Sequence, residues 1–103
     1  MRYNMKILQW LSEWYASQCD GGWEHSYGIT IDTLDNPGWM VNIDIYETEM
    51  YDRPFEEIKI NNGDDDWMFC RLTNNGMIFD GAGDPSKLED ILNVFKDWVE
   101  KTL

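Results

Sequence analysis

Apolar side chains recur at spacings of three and four residues near both ends of the chain, and such spacing places them on one face of an α-helix. The N-terminal set consists of Ile7, Leu8, Trp10, Leu11, Trp14 and Tyr15. The pattern therefore predicts a helix that ends near Cys19, before the Gly21-Gly22 pair.

A second helix is predicted at the C-terminus, down to Lys101. Its apolar stripe consists of Leu88, Ile91, Leu92, Phe95, Trp98 and Val99. Asp84-Pro85-Ser86 precedes the stripe and supplies a cap with proline in the first turn, and Ser86 and Glu89 have the spacing of a capping box. Both helices therefore have an apolar face that another layer must cover.

Between the two helices the apolar period changes from three or four residues to two, which predicts half-buried strands. The alternation runs through residues 27–32 and 39–46, and the turn Asp35-Asn36-Pro37-Gly38 separates the two stretches. Shorter strands are predicted at residues 57–61, 66–72 and 77–81. Asn62-Gly63-Asp64 and Asn75-Gly76 are the hairpin turns between them, and residues 47–54 are a polar connection.

These elements predict an α+β fold class. We expect an N-terminal helix, an antiparallel β-meander of about five strands, and a C-terminal helix packed on one sheet face. The length of 103 residues suits one domain, so residues 1–103 are predicted to form a single domain.

The charge is strongly negative and unevenly placed. The formal net charge is -12, yet residues 7–52 contain no Lys or Arg, and we call this stretch the base-free segment. Its acids are Glu13, Asp20, Glu24, Asp32, Asp35, Asp44, Glu47, Glu49 and Asp52. One interpretation is that the acids only keep a Trp-rich protein in solution. The other is that they form a surface for a basic partner, because opposite potentials favour encounter.

The same charge disfavours nucleic acid and anionic membranes as partners, because both would be repelled. The longest apolar run has only four residues, whereas a membrane span needs about twenty. Polar residues interrupt the N-terminal helix, so no signal peptide is expected. Cys19 and Cys70 are then predicted to be reduced thiols of a cytoplasmic protein.

Reactive side-chain types are densest around Cys19, Asp20, Glu24 and His25. A metal site or a Cys–His catalytic pair at these positions stays open as an alternative, but the spacing matches no paired-ligand motif. We therefore predict no catalytic residues, no metal and no cofactor, with Cys19 and His25 in structural roles. The Trp residues on the helical and strand stripes are expected in the core. Trp23, which lies in a glycine-flanked loop, is expected at the surface.

A family resemblance joins these residues. The motifs are Trp14-Tyr15, Cys19-Asp20-Gly21, Trp23-Glu24-His25, Tyr27-Gly28-Ile29 and the run from Thr33 through Trp39. Together they resemble the immunity protein 53 family, and the likeness continues more loosely to the last helix. The resemblance implies a small α+β protein of a bacterial polymorphic toxin system that neutralises a cognate toxin and has no catalytic residues.

The leading hypothesis is therefore an immunity protein that binds a basic, nuclease-like toxin domain through an acidic surface. A small cytoplasmic enzyme using Cys19 or His25, with or without metal, is the alternative, and an acidic adaptor for cationic proteins is a third. We expect a monomer or a weak dimer. The predicted partner-binding residues are Asp20, Trp23, Glu24, Asp32, Asp35 and Asp44.

Overall fold

The computed structural model describes residues 6–103, and its helices and strands arise where the apolar period predicts them. The helices are α1 (Ile7–Gln18), the short α2 (Trp23–Ser26) and α3 (Leu88–Thr102). The strands are β1 (Ile29–Leu34), β2 (Gly38–Asp44), β3 (Ile58–Asn61), β4 (Trp67–Thr73) and β5 (Ile78–Gly83). The predicted α+β class is confirmed, with an N-terminal helix, five antiparallel strands and a C-terminal helix on the sheet. Only α2 was not predicted.

The strand order departs from a simple meander at one connection. The order is β1-β2-β5-β4-β3, so β2 lies beside β5 rather than beside β3. The connection after β2 is not purely polar, because Ile45 and Met50 are fully buried. The backbone carbonyl of Pro54 accepts a hydrogen bond from Trp98 Nε1 at 2.8 Å. These anchors carry the chain across to the far edge of the sheet, where β3 pairs with β4.

Helix α3 covers the middle of the sheet at very short range. A Cβ atom placed on Gly81 would lie 2.4 Å from Cγ2 of Ile91, so only glycine permits this approach. Phe95 on the same helix contacts Phe79 on β5, with ring centroids 5.1 Å apart. The close fit buries the apolar stripe predicted for the last helix.

Helix α1 packs chiefly on α3 rather than on a strand. Its Trp14 lies edge-on to Phe95, with ring centroids 4.9 Å apart. Both long helices therefore share one face of the sheet, which we call the helix face. We call the opposite side the open face. Cross-strand register places one row of side chains across the open face, comprising Asp32, Met40, Ala82, Phe69 and Lys59.

The start of α3 is organised by Asp84 and not by the capping box that sequence spacing suggested. Ser86 donates both its backbone N–H and its hydroxyl to Asp84 Oδ1, at 2.8 and 2.6 Å. Asp84 Oδ2 accepts bonds from Trp67 N and from Lys87 Nζ, at 2.9 and 2.8 Å. The Lys87 ammonium and the Ser86 hydroxyl hold the pKa of this buried carboxyl well below its ordinary value. Lys87 and not Ser86 is the N-cap residue of α3, and within residues 6–103 no side chain caps this helix end, so the capping-box prediction is wrong.

Substituting Gly81→Ala is expected to lower the free energy of unfolding by about 1–3 kcal/mol, because the new methyl forces α3 away from β5. Gly28→Ala is the matched control, since a Cβ there meets nothing within 4 Å. Urea denaturation of both variants checks the expectation. Equal stability of the two variants would contradict the close helix–strand approach.

Candidate partner-binding surface

The segment between α1 and β1 is held by its own carboxylates. Asp20 Oδ1 accepts hydrogen bonds from the backbone N–H groups of Gly22 and Trp23, at 2.9 and 3.0 Å. The Glu24 carboxylate accepts from the N–H groups of Asp20 and Gly21, at 3.0 and 2.9 Å. These bonds fold residues 20–24 into a compact turn without any basic residue.

The same bonds change the acidity of both groups. The bond from the Trp23 amide, followed by the one from Gly22, lowers the pKa of Asp20. Glu24 has its pKa lowered by its own backbone amide and then by those of Asp20 and Gly21. Both carboxylates are therefore anionic at neutral pH and point into the turn that they hold.

Trp23 is buried, with only 6% of its surface exposed, so its predicted surface position is wrong. Its indole N–H donates to the backbone carbonyl of Tyr46 at 3.1 Å. Its ring lies edge-on to Trp14 and to Tyr15, with centroids 6.3 and 6.0 Å away. The short α2 helix turns the side chain inward, and the ring then supports the exposed Tyr15 from behind.

The other predicted acids lie on or beside β1. Asp44 is half-buried on β2, and its Oδ2 accepts a bond from the N–H of Gly28 at 2.9 Å, which fixes the entry to β1. Asp32 and Asp35 are exposed. Asp32 Oδ1 accepts a hydrogen bond from the neighbouring N–H of Thr33, at 2.8 Å. Within residues 6–103 no hydrogen bond or ion pair engages the Asp35 carboxylate. Asp32 and Asp35 thus retain the most accessible charge among the six predicted residues.

Five of the six predicted residues, all except Asp44 on β2, share a border of the molecule that we call the β1 edge. It comprises β1, residues 19–28 before it and the turn at residues 35–37 after it. Strand β1 pairs on one side with β2 and ends the sheet on the other. A groove of about 370 Å³ lies between α1 and β1, lined by Leu11, Ser12, Tyr15, Gly28 and Ile29. Tyr15 and Ile31 are 37% and 40% exposed beside it.

The electrostatics of the β1 edge follow from the base-free segment. The described part of the chain contains four ion pairs, and all of them lie after residue 52. Lys87 bridges Asp66 and Asp84, Arg71 pairs with Asp80, and the remaining pair lies on α3. The β1 edge therefore combines apolar groups with carboxylates that form no ion pair with any Lys or Arg of residues 6–103.

The two thiols differ in environment. Cys19 is exposed at the end of α1, and its Sγ donates a weak bond to the carbonyl of Tyr15 at 3.4 Å. Cys70 is buried in the core, and burial raises the pKa of its thiol to about 12. His25 is exposed on α2. Residues 6–103 contain no cluster of three His, Cys, Asp or Glu side chains arranged to hold a metal ion.

Sequence reasoning found the acids of this surface but missed Tyr15, Ile29 and Ile31 as members of it. Their apolar spacing assigns them to a buried face. These side chains are accessible because β1 is the last strand of the sheet on this side. The strand order determines this position, and the local sequence does not indicate it.

Comparison with known protein families identifies a match. A family model described as immunity protein 53 matches residues 8–100, which includes all of α1 except its first residue, the β1 edge, the whole sheet and most of α3. No curated protein and no solved structure matches the chain.

Replacing Glu24 with Gln is expected to speed amide hydrogen exchange at Asp20 and Gly21 by about tenfold, because one acceptor oxygen and the negative charge are lost. The folded-state pKa of Glu24 is lowered, so its carboxylate fully protects the Asp20 and Gly21 amides above the unfolded pKa of about 4.3. This protection is lost as the pH falls through the folded-state pKa and the carboxylate is protonated. Exchange measured by NMR between pH 3 and pH 7 checks both effects. Glu57→Gln, an exposed control, should change neither, and unchanged exchange in the Glu24 variant would contradict this assignment.

Proposed function

Because the chain belongs to the immunity protein 53 family, we propose that it binds a cognate toxin of a bacterial polymorphic toxin system and neutralises it without turnover of its own. The family match over residues 8–100 is the observation that carries this proposal. The β1 edge supports it, because it presents accessible carboxylates and apolar groups on one continuous border.

In the proposed mechanism the acidic surface covers a basic active site of the toxin. A nuclease site holds phosphates with cationic groups, so a protein of net charge -12 is attracted to it and competes with the nucleic acid. Occupying that site excludes the substrate and needs no chemical step. The proposal places the protein in the cytoplasm of the producing cell, where the nucleic acids lie. No helix within residues 6–103 is long and apolar enough to cross a membrane.

The predicted binding residues take different roles within this proposal. Asp32 and Asp35 provide accessible charge toward the toxin. Asp20, Glu24 and Asp44 add to the negative potential while their oxygens hold backbone amides. Trp23 contributes from below the surface by supporting Tyr15. The toxin contact is of standard size, on the order of 1,600 Å² in total.

Co-expression with the toxin domain encoded beside this gene tests the proposal. The wild-type protein should restore growth of cells that make the toxin and should co-purify with it as a complex. Continued toxicity together with no complex between the purified proteins would contradict the proposed function.

Two double variants that remove the same amount of charge from different places test the charge mechanism. Asp32→Asn with Asp35→Asn should slow association with the toxin about threefold to tenfold at low ionic strength, and roughly 0.5 M salt should remove most of the difference. Asp64→Asn with Asp65→Asn removes the same charge from exposed positions between β3 and β4 and should have little effect. Stopped-flow association kinetics measure both. Equal slowing by the two pairs would mean that only the net charge matters.

A further inference from the structure

The outer side of β1 offers unpaired backbone groups at defined residues. Gly28 O accepts a hydrogen bond from Asp44 N at 3.0 Å, which sets the alternation of the β1–β2 ladder. In an antiparallel pair every second residue then directs its N–H and C=O away from the partner strand. On β1 these residues are Ile29, Ile31 and Thr33. The N–H of Thr33 is taken by Asp32 Oδ1, so Ile29 and Ile31 are the residues that present both groups outward.

This edge lacks the protection that exposed strand edges usually have. Lysine, proline or a very short strand commonly prevents an added strand from pairing. The opposite edge fits that description, because β3 has four residues and includes the exposed Lys59. Strand β1 has six residues and contains neither lysine nor proline. Helix α1 leaves the edge accessible because it packs chiefly on α3.

The side chains along the edge differ on the two sides of the sheet. Ile29 and Ile31 point to the helix face, since their partners on β2 are the buried Ile43 and Val41. Ile29 lines the groove together with Leu11 and Tyr15, and Ile31 lies two residues further along the same face. Thr30 and Asp32 point to the open face. A strand added here would therefore place alternate side chains in an apolar groove and beside carboxylates.

We propose that the toxin supplies an extended segment that pairs with Ile29 and Ile31 as a sixth strand of the sheet. The proposal rests on the proposed function. Apolar side chains of the segment enter the groove between α1 and β1, and its alternate basic side chains approach Asp32. Main-chain hydrogen bonds to Ile29 and Ile31 give affinity, and the alternation of apolar and basic side chains gives specificity.

Charge identifies the occupant as the toxin and not as a second copy of this chain. A copy would bring another net charge of -12 to a border that contains no Lys or Arg. Pairing two β1 strands would also bring the Asp32 carboxylates of both copies toward each other. A basic segment meets the same border with opposite charge, which favours association.

Proline substitution at the outward position tests the backbone contact. Ile31→Pro removes an N–H that β2 does not use, so the β1–β2 ladder is retained. Its Kd for the toxin domain encoded beside this gene should rise about tenfold or more. The control is Asn61→Pro, which removes an outward N–H from the opposite edge strand and should leave the Kd unchanged. Circular dichroism establishes that each variant is folded.

A second pair of variants keeps the test decisive if Ile31→Pro does not fold. Ile31→Lys keeps the backbone N–H but places a cation on the exposed helix face of β1, where it would meet the basic segment, and its Kd should rise at least tenfold. Leu103→Lys makes the same change at another exposed apolar residue and should not alter binding. If the wild type binds and all variants bind equally, the added strand is excluded while the proposed function stands.

Two further outcomes would overturn the proposal. If the wild type does not bind the toxin domain, both the proposed function and the added strand fail. If light scattering shows a toxin-free dimer that Ile31→Lys dissociates, the occupant of the edge is a second copy of the chain.

Discussion

The close approach of α3 to β5 is the contact on which the rest of the arrangement depends. Gly81 has no side chain where Ile91 rests, so the helix lies directly on the middle of the sheet. Phe95 then contacts Phe79 below it and Trp14 beside it. Helix α1 is held by α3 instead of covering the edge of the sheet. A packing detail at the centre of the molecule therefore leaves β1 accessible at its border.

A second constraint is the absence of Lys and Arg from residues 7–52. Asp20, Glu24 and Asp44 in this segment accept hydrogen bonds from backbone N–H groups, and none of the ion pairs within residues 6–103 involves the segment. After residue 52 the pattern reverses, and Lys87 joins Asp66 to Asp84. The chain thus separates a negative border, suited to a basic partner, from a region whose charges are partly paired internally.

The sequence predicted local structure well and spatial order less well. Apolar periodicity located both long helices and all five strands, because those periods reflect which side chains are buried. The neighbour of β2 was mispredicted, because it depends on where the connection containing Met50 is anchored. Trp23 was misplaced at the surface because its burial requires the distant carbonyl of Tyr46. The side chain and the outward N–H and C=O of Ile31 are accessible because the strand order puts β1 at the end of the sheet. Periodicity does not report strand order, so it assigned Ile31 to a buried face.

Amide hydrogen exchange of the wild-type protein, with and without the toxin domain, tests the central claim that the β1 edge is the surface recognised. The account predicts that the amides of Ile29 and Ile31 exchange quickly in the free protein, because the β1–β2 ladder does not use them. In the complex they should become strongly protected, while Lys59 on the opposite edge stays unchanged. A complex that forms without slowing exchange at Ile29 and Ile31, or that protects β3 instead, would contradict the account.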